Sequence, residues 1–317
     1  MSAMANTLGG FRAAALIGWI ALSGVGIFYA RTKGIPLHTA LPIIVAFLAE
    51  YPFYLVAGFP NVRERLAGPR LPIWLIGSAV LPYLICCSGA ISFEWIGLVR
   101  SLALAVAISL WYVILPANAL FDGAFLVLIA AVSVGRYFDS IYPVVYKQHI
   151  EILGHVALIQ MVVLVLMLER RIAETGYGFW PSWNEWRIGA LNFLFFIPFG
   201  TVLAVWLHAT HFVPPRLVWA AASFFGFLWV LGLFEDFLFW GVLQRWVEEW
   251  TWSPRAALWI TASLFGLVHY WFRGWAWVPI TAVLGLFCAR ARNQAGSIKA
   301  AVVTHSLVIA AWRAFLW

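Results

Sequence analysis

The chain alternates between long apolar runs and short polar interruptions over most of its length. Each run has about 20 residues, which is the length that an α-helix needs to cross the hydrocarbon core of a bilayer. The alternating pattern of barrel strands is absent. We therefore predict an all-α polytopic membrane protein with ten or eleven transmembrane helices, at about 13–30, 37–57, 71–91, 96–115, 119–135, 150–168, 187–208, 216–247, 255–272, 275–291 and 298–316.

Composition supports the same prediction. The 317 residues are 64% hydrophobic and 10% charged, with a mean hydropathy of +0.90, whereas a soluble domain carries about a quarter charged residues. The net charge of +7 comes with short basic clusters between the runs, such as Arg290 and Arg292, which are typical of loops facing anionic lipid. We expect a multi-pass protein of a bacterial inner membrane, with the lipid bilayer as a partner and no nucleic acid.

One polar interruption is longer than the others and contains the helix-breaking residues Gly176, Gly178 and Pro181. We take it as an interfacial linker, 171–186, between two halves. Residues 1–170 are predicted to form an N-terminal membrane domain of about six helices without a recognised motif. Residues 187–317 contain most of the ionisable groups that lie well inside apolar runs.

Four of these groups stand out because an ionisable side chain at mid-membrane costs roughly 2.5–3.5 kcal/mol. Glu235 and Asp236 are adjacent in one run, and His269 and His305 lie in later runs. The two acids point about 100° apart on a helix, so they need not do the same job. Spacing alone leaves two interpretations equally open: a polar clamp between helices, or an active site.

The order of these residues resembles a known family. Glu235 and Asp236 in "EDFLFWGVL", then Phe265 and His269 in "FGLVH", then His305 in "THSLVIA" are similar to the motifs of the CAAX proteases and bacteriocin-processing enzymes, the CPBP or Abi intramembrane proteases. The resemblance implies a CPBP-like helical core over 187–317. It also implies an endopeptidase that hydrolyses a peptide bond in a membrane-tethered, lipidated or leader-bearing protein.

Carried over residue by residue, the resemblance implies that Glu235 is the general base that activates water. Asp236 would then be an orienting residue of the site. His269 and His305 would polarise the water and the carbonyl, and Phe265 can shield the imidazole four positions later. No cofactor is expected. The alternative is a zinc ion held by Glu235, His269 and His305, but the His-Glu-x-x-His helix of zinc peptidases is absent, which favours a metal-free site.

Two positions depart from the family pattern. The family's Arg falls at Trp240 and its last Asn at Ile309, and neither side chain offers the same donors. Arg273 or Arg245 is a candidate to supply the missing charge. If neither does, two alternatives are open: a divergent enzyme, or a non-catalytic membrane scaffold or regulator, a pseudoprotease. A transporter is the third alternative, although the paired repeats and broken helices that it predicts are not evident in the sequence.

Overall fold

The computed structural model describes residues 7–172 and 175–316. Within these residues the regular structure is helical, without strands and with two isolated β-bridges. The chain divides into two compact units, Met1–Ile172 and Ala173–Trp317. The predicted all-α fold class is confirmed.

The first unit is built around one helix that is hydrophobic on all sides. Its α-helices are α1 Leu8–Thr32, α2 Leu37–Val56, α3 Pro60–Arg63, α4 Leu71–Cys86, α5 Trp95–Ser109, α6 Trp111–Ile114, α7 Ala119–Val134 and α8 Ile152–Leu168. Every residue of α8 from Ala157 to Leu166 is buried, and the helix contacts α2, α4 and α5. A helix that is apolar all round is typical of such a central position.

The second unit surrounds the last helix of the chain. Its elements are α9 Trp183–Trp206, α10 Leu217–Trp229, α11 Leu231–Asp236, a π-helical segment Phe237–Leu243, α12 Gln244–Thr251, α13 Pro254–Arg273, α14 Trp277–Ala295 and α15 Ile298–Phe315. Helix α15 contacts α9, α10, α11 and α14, and α13 packs along α14. The unit therefore brings its most distant segments together at α15.

Helix α9 begins inside the predicted linker 171–186. Ser182 and Glu185 form a capping box that supplies acceptors to the first backbone N–H groups, so the helix begins at Trp183. Residues 173 and 174 of the predicted linker lie outside the described residues.

Each predicted apolar run forms a helix, but fewer of them can cross a bilayer alone. By length and composition, five stretches of the described residues qualify, or six if the bent pair Pro60–Leu66 and Leu71–Cys86 is one span. This compares with the ten or eleven predicted. The five are α1, α2, α9, the long helical stretch Leu217–Thr251 and α15. Helices α5, α7 and α8 have 15, 16 and 17 residues, which is too short to span about 30 Å upright at about 1.5 Å per residue.

A buried ion pair ties α7 to the chain after α8. Arg170 donates from Nε and Nη2 to the two carboxylate oxygens of Asp122, each at 2.8 Å, and the Tyr112 hydroxyl donates to the same carboxylate at 2.9 Å. The Asp122 side chain is 1% exposed and that of Arg170 is 21% exposed. Asp122 thus has three donors in place of water.

We expect Asp122→Ala to lower the free energy of unfolding by about 3 kcal/mol, because it leaves a largely buried guanidinium without its anion. The measurement is reversible unfolding in mixed micelles. The matched control is Asp139→Ala, which removes the partner of the exposed Arg136 and should change stability by less than about 0.5 kcal/mol. Equal losses for the two variants would contradict the prediction.

Candidate active site

The two acids lie directly after a break in the long helical stretch. Val230 separates α10 from α11 with non-helical torsions of φ −130° and ψ −81°. Gly232 permits this bend, because a Cβ there would lie 2.8 Å from the carbonyl oxygen of Phe227. The π-helical segment begins at the next residue after Asp236, and such wide turns are frequent at functional sites. The local backbone therefore sets the acids between two irregularities.

His305 of α15 lies between the two carboxylates. Its Nε2 is 3.9 Å from Oε2 of Glu235, and its Nδ1 is 3.5 Å from Oδ2 of Asp236. Asp236 and His305 are 0% and 1% exposed, whereas the Glu235 side chain is 36% exposed. Glu235 is therefore the more exposed of the two acids, although its Oε2, which faces His305, is buried without a hydrogen-bond partner, and Asp236 is enclosed.

Asp236 is held by Trp240, the residue at the position of the family's Arg. The indole Nε1–H donates to Oδ1 of Asp236 at 2.6 Å, and both side chains are fully buried. The ring lies against Gly285, where a Cβ would be 3.2 Å from Cη2 of the indole. The departure from the family pattern thus leaves the second acid with one neutral donor, where a guanidinium offers five charged ones.

A buried aromatic ring connects the two histidines. Phe265 contacts His269 with ring centroids 4.7 Å apart, His305 at 5.6 Å and Trp240 at 5.5 Å. The expected i, i+4 contact of Phe265 with His269 is present. Phe227 covers His305 from another helix at 5.3 Å. Sequence reasoning missed Phe227, since an apolar residue in an apolar run gives no signal of its own.

His269 is oriented by the backbone and not by an acid. Its Nδ1 lies 2.8 Å from the carbonyl oxygen of Phe265, so Nδ1–H donates and the Nε2 of the neutral ring is an acceptor. Among the described side chains, no carboxylate lies within the 4.0 Å ion-pair distance of His269. The structure thus brings the carboxylates of Glu235 and Asp236 within 4.0 Å of the His305 ring. It places the His269 ring against Phe265.

The candidate zinc ligands do not form a metal site. In the part of the chain that the structure describes, no group of three or more His, Cys, Asp and Glu side chains is placed to hold one metal ion. Glu235, His269 and His305 therefore do not fit a zinc ion in this arrangement.

Neither arginine candidate reaches the acids. The guanidinium of Arg273 lies over the Trp277 ring, 4.6 Å from its centroid, and Arg245 pairs with Glu249 at 3.1 Å on the surface of α12. Ile309, one turn after His305, is half-buried and has no polar group.

These features define a helical membrane protein with an acid–histidine cluster assembled from separate helices. Residues 217–311 match the family described as Rce1-like: type II CAAX prenyl endopeptidase Rce1-like. The resemblance to the CPBP family is thereby confirmed for this segment, just under a third of the chain, and it implies a protease of the CAAX type. No curated protein and no solved structure matches the chain.

Proposed function

We propose that this chain is an intramembrane endopeptidase that hydrolyses a peptide bond by means of a water activated by Glu235. The observation that carries the proposal is the position of His305 between a partly exposed Glu235 and an enclosed Asp236. Two acids in such different surroundings suit different tasks. A polar clamp between helices does not require one acid to be more exposed than the other. It also does not require the two nitrogens of His305 to face different acids.

Glu235 is the proposed general base. A water about 2.8 Å from both Oε2 of Glu235 and Nε2 of His305 can donate one hydrogen to each, because those two atoms are 3.9 Å apart. Its oxygen then attacks the peptide carbonyl carbon while Glu235 takes the proton. The protonated Glu235 returns that proton to the leaving amine, so that it serves as base and then as acid.

Asp236 is the proposed orienting residue. If its carboxylate accepts from Nδ1–H of His305, the neutral imidazole has its lone pair on Nε2, facing Glu235. The ring is then set to accept a hydrogen bond from the water. His269 has the same tautomer when neutral, since its Nδ1–H donates to the backbone carbonyl of Phe265 and its lone pair lies on Nε2. It donates to a substrate carbonyl or oxyanion from Nε2 only as an imidazolium.

The proposed substrate is a membrane-tethered, lipidated or leader-bearing protein, and the proposed location is a bacterial inner membrane. The matched family's description, a CAAX prenyl endopeptidase, makes a prenylated C-terminal peptide the first candidate. The stretch Leu217–Thr251 is long and apolar enough to cross a membrane, and both acids lie within it. This position supports a substrate whose scissile bond reaches the site from the lipid.

The test uses the full-length protein in proteoliposomes with a panel of peptides that carry a fluorophore and a quencher on either side of the scissile bond. The panel contains a farnesylated CAAX peptide, the same peptide without the lipid, and a leader peptide. We expect wild-type protein to cleave a member of the panel and Glu235→Gln to cleave none. Equal rates for the two proteins, or no cleavage of any peptide, would contradict the proposal and favour a scaffold.

Arg273→Ala is expected to change the cleavage rate by less than about threefold, because the guanidinium stacks on Trp277 and not on the acids. An exposed cation–π contact is worth about 0.5–1 kcal/mol, so a small loss of stability is the main expected effect. The same reporter assay measures the rate. A loss of more than tenfold would show that Arg273 supplies charge to the reaction.

A further inference from the structure

We propose that Trp240 is a positioning residue of the site: its indole N–H fixes Asp236, and Asp236 in turn orients His305 towards Glu235. The inference rests on the proposed hydrolytic function. It gives a role to the position at which this chain departs from the family pattern.

The two oxygens of Asp236 have different neighbours. Oδ1 accepts the Trp240 indole N–H at 2.6 Å, while Oδ2 has no hydrogen-bond partner and faces Nδ1 of His305 at 3.5 Å. A carboxylate whose first oxygen is bound by a fixed donor has lost its freedom to rotate. Its second oxygen is therefore presented to the imidazole in one direction.

The donor is itself fixed by packing. The Trp240 ring is fully buried between Gly285 of α14 and the ring of Phe265, whose centroid is 5.5 Å away. Phe265 also contacts His305, at 5.6 Å. The indole and the imidazole are thus held against the same ring. A catalytic geometry that is supported in this way does not depend on flexible side chains.

A neutral donor also has a chemical consequence. A guanidinium beside Asp236 would offset much of its negative charge, whereas an indole N–H contributes a hydrogen bond without a net charge. An ionised Asp236 would therefore act with its full charge on His305, the only imidazole within ion-pair distance of it among the described residues. Trp240 supplies the position of the acid and leaves its charge intact.

The test compares Trp240→Phe, which keeps an aromatic ring and removes the donor, with Trp229→Phe. Trp229 donates its indole N–H to the Phe179 carbonyl at 3.1 Å, so the control loses the same kind of bond elsewhere in the unit. We expect Trp240→Phe to lower kcat at least about tenfold, about 1.4 kcal/mol, with KM changed less than about twofold. Trp229→Phe should leave both unchanged.

A spectroscopic measurement separates positioning from a general loss of structure. The ¹⁵N shifts of the His305 ring should report one tautomer, protonated at Nδ1, in wild-type protein and in Trp229→Phe, and a mixture in Trp240→Phe. If Trp240→Phe does not fold, Asp236→Asn replaces it, and the indole N–H resonance of Trp240 should move when the charged acceptor is lost.

The outcomes distinguish this inference from the proposed function. Wild-type kcat and an unchanged tautomer in Trp240→Phe, with Glu235→Gln inactive, would overturn the role of Trp240 and leave the peptidase standing. An unmoved Trp240 resonance in Asp236→Asn would overturn it as well. If no Glu235-dependent cleavage exists, the proposed function fails. The His305 tautomer still tests the role of Trp240 in that case, and an unchanged tautomer in Trp240→Phe would overturn it.

Discussion

Glu235→Gln is expected to lower the rate of peptide cleavage by about 10³-fold or more. A glutamine has nearly the same shape as a glutamate, but its amide cannot take a proton from water. Loss of general base catalysis is worth about 10²–10⁴ in rate, and a 10³-fold loss corresponds to about 4 kcal/mol of transition-state stabilisation. The side chain is 36% exposed, so the substitution should leave the fold intact.

Glu249→Gln is the matched control for this prediction. It makes the same chemical change on the same helical stretch, at an exposed residue that pairs with Arg245, and should keep the wild-type rate. Initial rates with the reporter peptides in proteoliposomes give both values. If Glu235→Gln retained more than about a tenth of the wild-type rate, Glu235 would not be the base.

His305→Ala is expected to lower both the rate and the stability. The rate should fall by about 10²–10⁴, the usual effect of removing a group that handles protons. Stability should fall by about 3 kcal/mol, because the buried imidazole leaves a cavity and the second oxygen of the enclosed Asp236 loses the ring that it faces. The combination of effects distinguishes this variant from Glu235→Gln, which should affect the rate alone.

The control for His305→Ala is His155→Ala in the first unit. His155 is also part-buried, but its Nδ1 lies 3.0 Å from the backbone carbonyl oxygen of Glu151 and not beside a carboxylate. It should retain the wild-type rate. The double variant Glu235→Gln, His305→Ala provides a second check, since residues that act as a unit show strongly non-additive losses. Additive losses would mean that the two residues act separately.

The positions of the helices could be predicted because burial in lipid requires long apolar runs, and such runs are visible in the sequence. Their ability to cross a membrane was less predictable. The stretches at α5, α7 and α8 are apolar enough to be noticed, yet they form helices of 15 to 17 residues. Hydropathy indicates where a chain avoids water, and it says less about where a helix ends.

The acids and histidines could be singled out because each is costly in an apolar run. Their relative depth was not predictable from spacing. His305 reaches both acids, while His269 remains bonded to the backbone. The reason is the break at Val230, which turns the acids towards α15. A backbone torsion of this kind leaves only a weak trace in the sequence, the glycine two positions later.

The role of Trp240 could be predicted from the sequence only in part. Helical geometry places it on the same face as Asp236, so their contact was predictable. The hydrogen bond itself depends on the rotation of the ring, which is set by neighbours on α13 and α14. Side chains from distant segments decide that rotation, and a sequence read along one helix does not include them.

The close fit between the Trp240 ring and Gly285 has an evolutionary consequence. A Cβ at 285 would lie 3.2 Å from the indole, so that a larger residue would require the ring to shift, and a smaller or more slender residue at 240 would leave a hole beside the glycine. The two positions are therefore expected to covary among relatives, with glycine at 285 wherever tryptophan occupies 240. An arginine at 240, which is more slender than an indole, would then be expected together with a larger residue at 285.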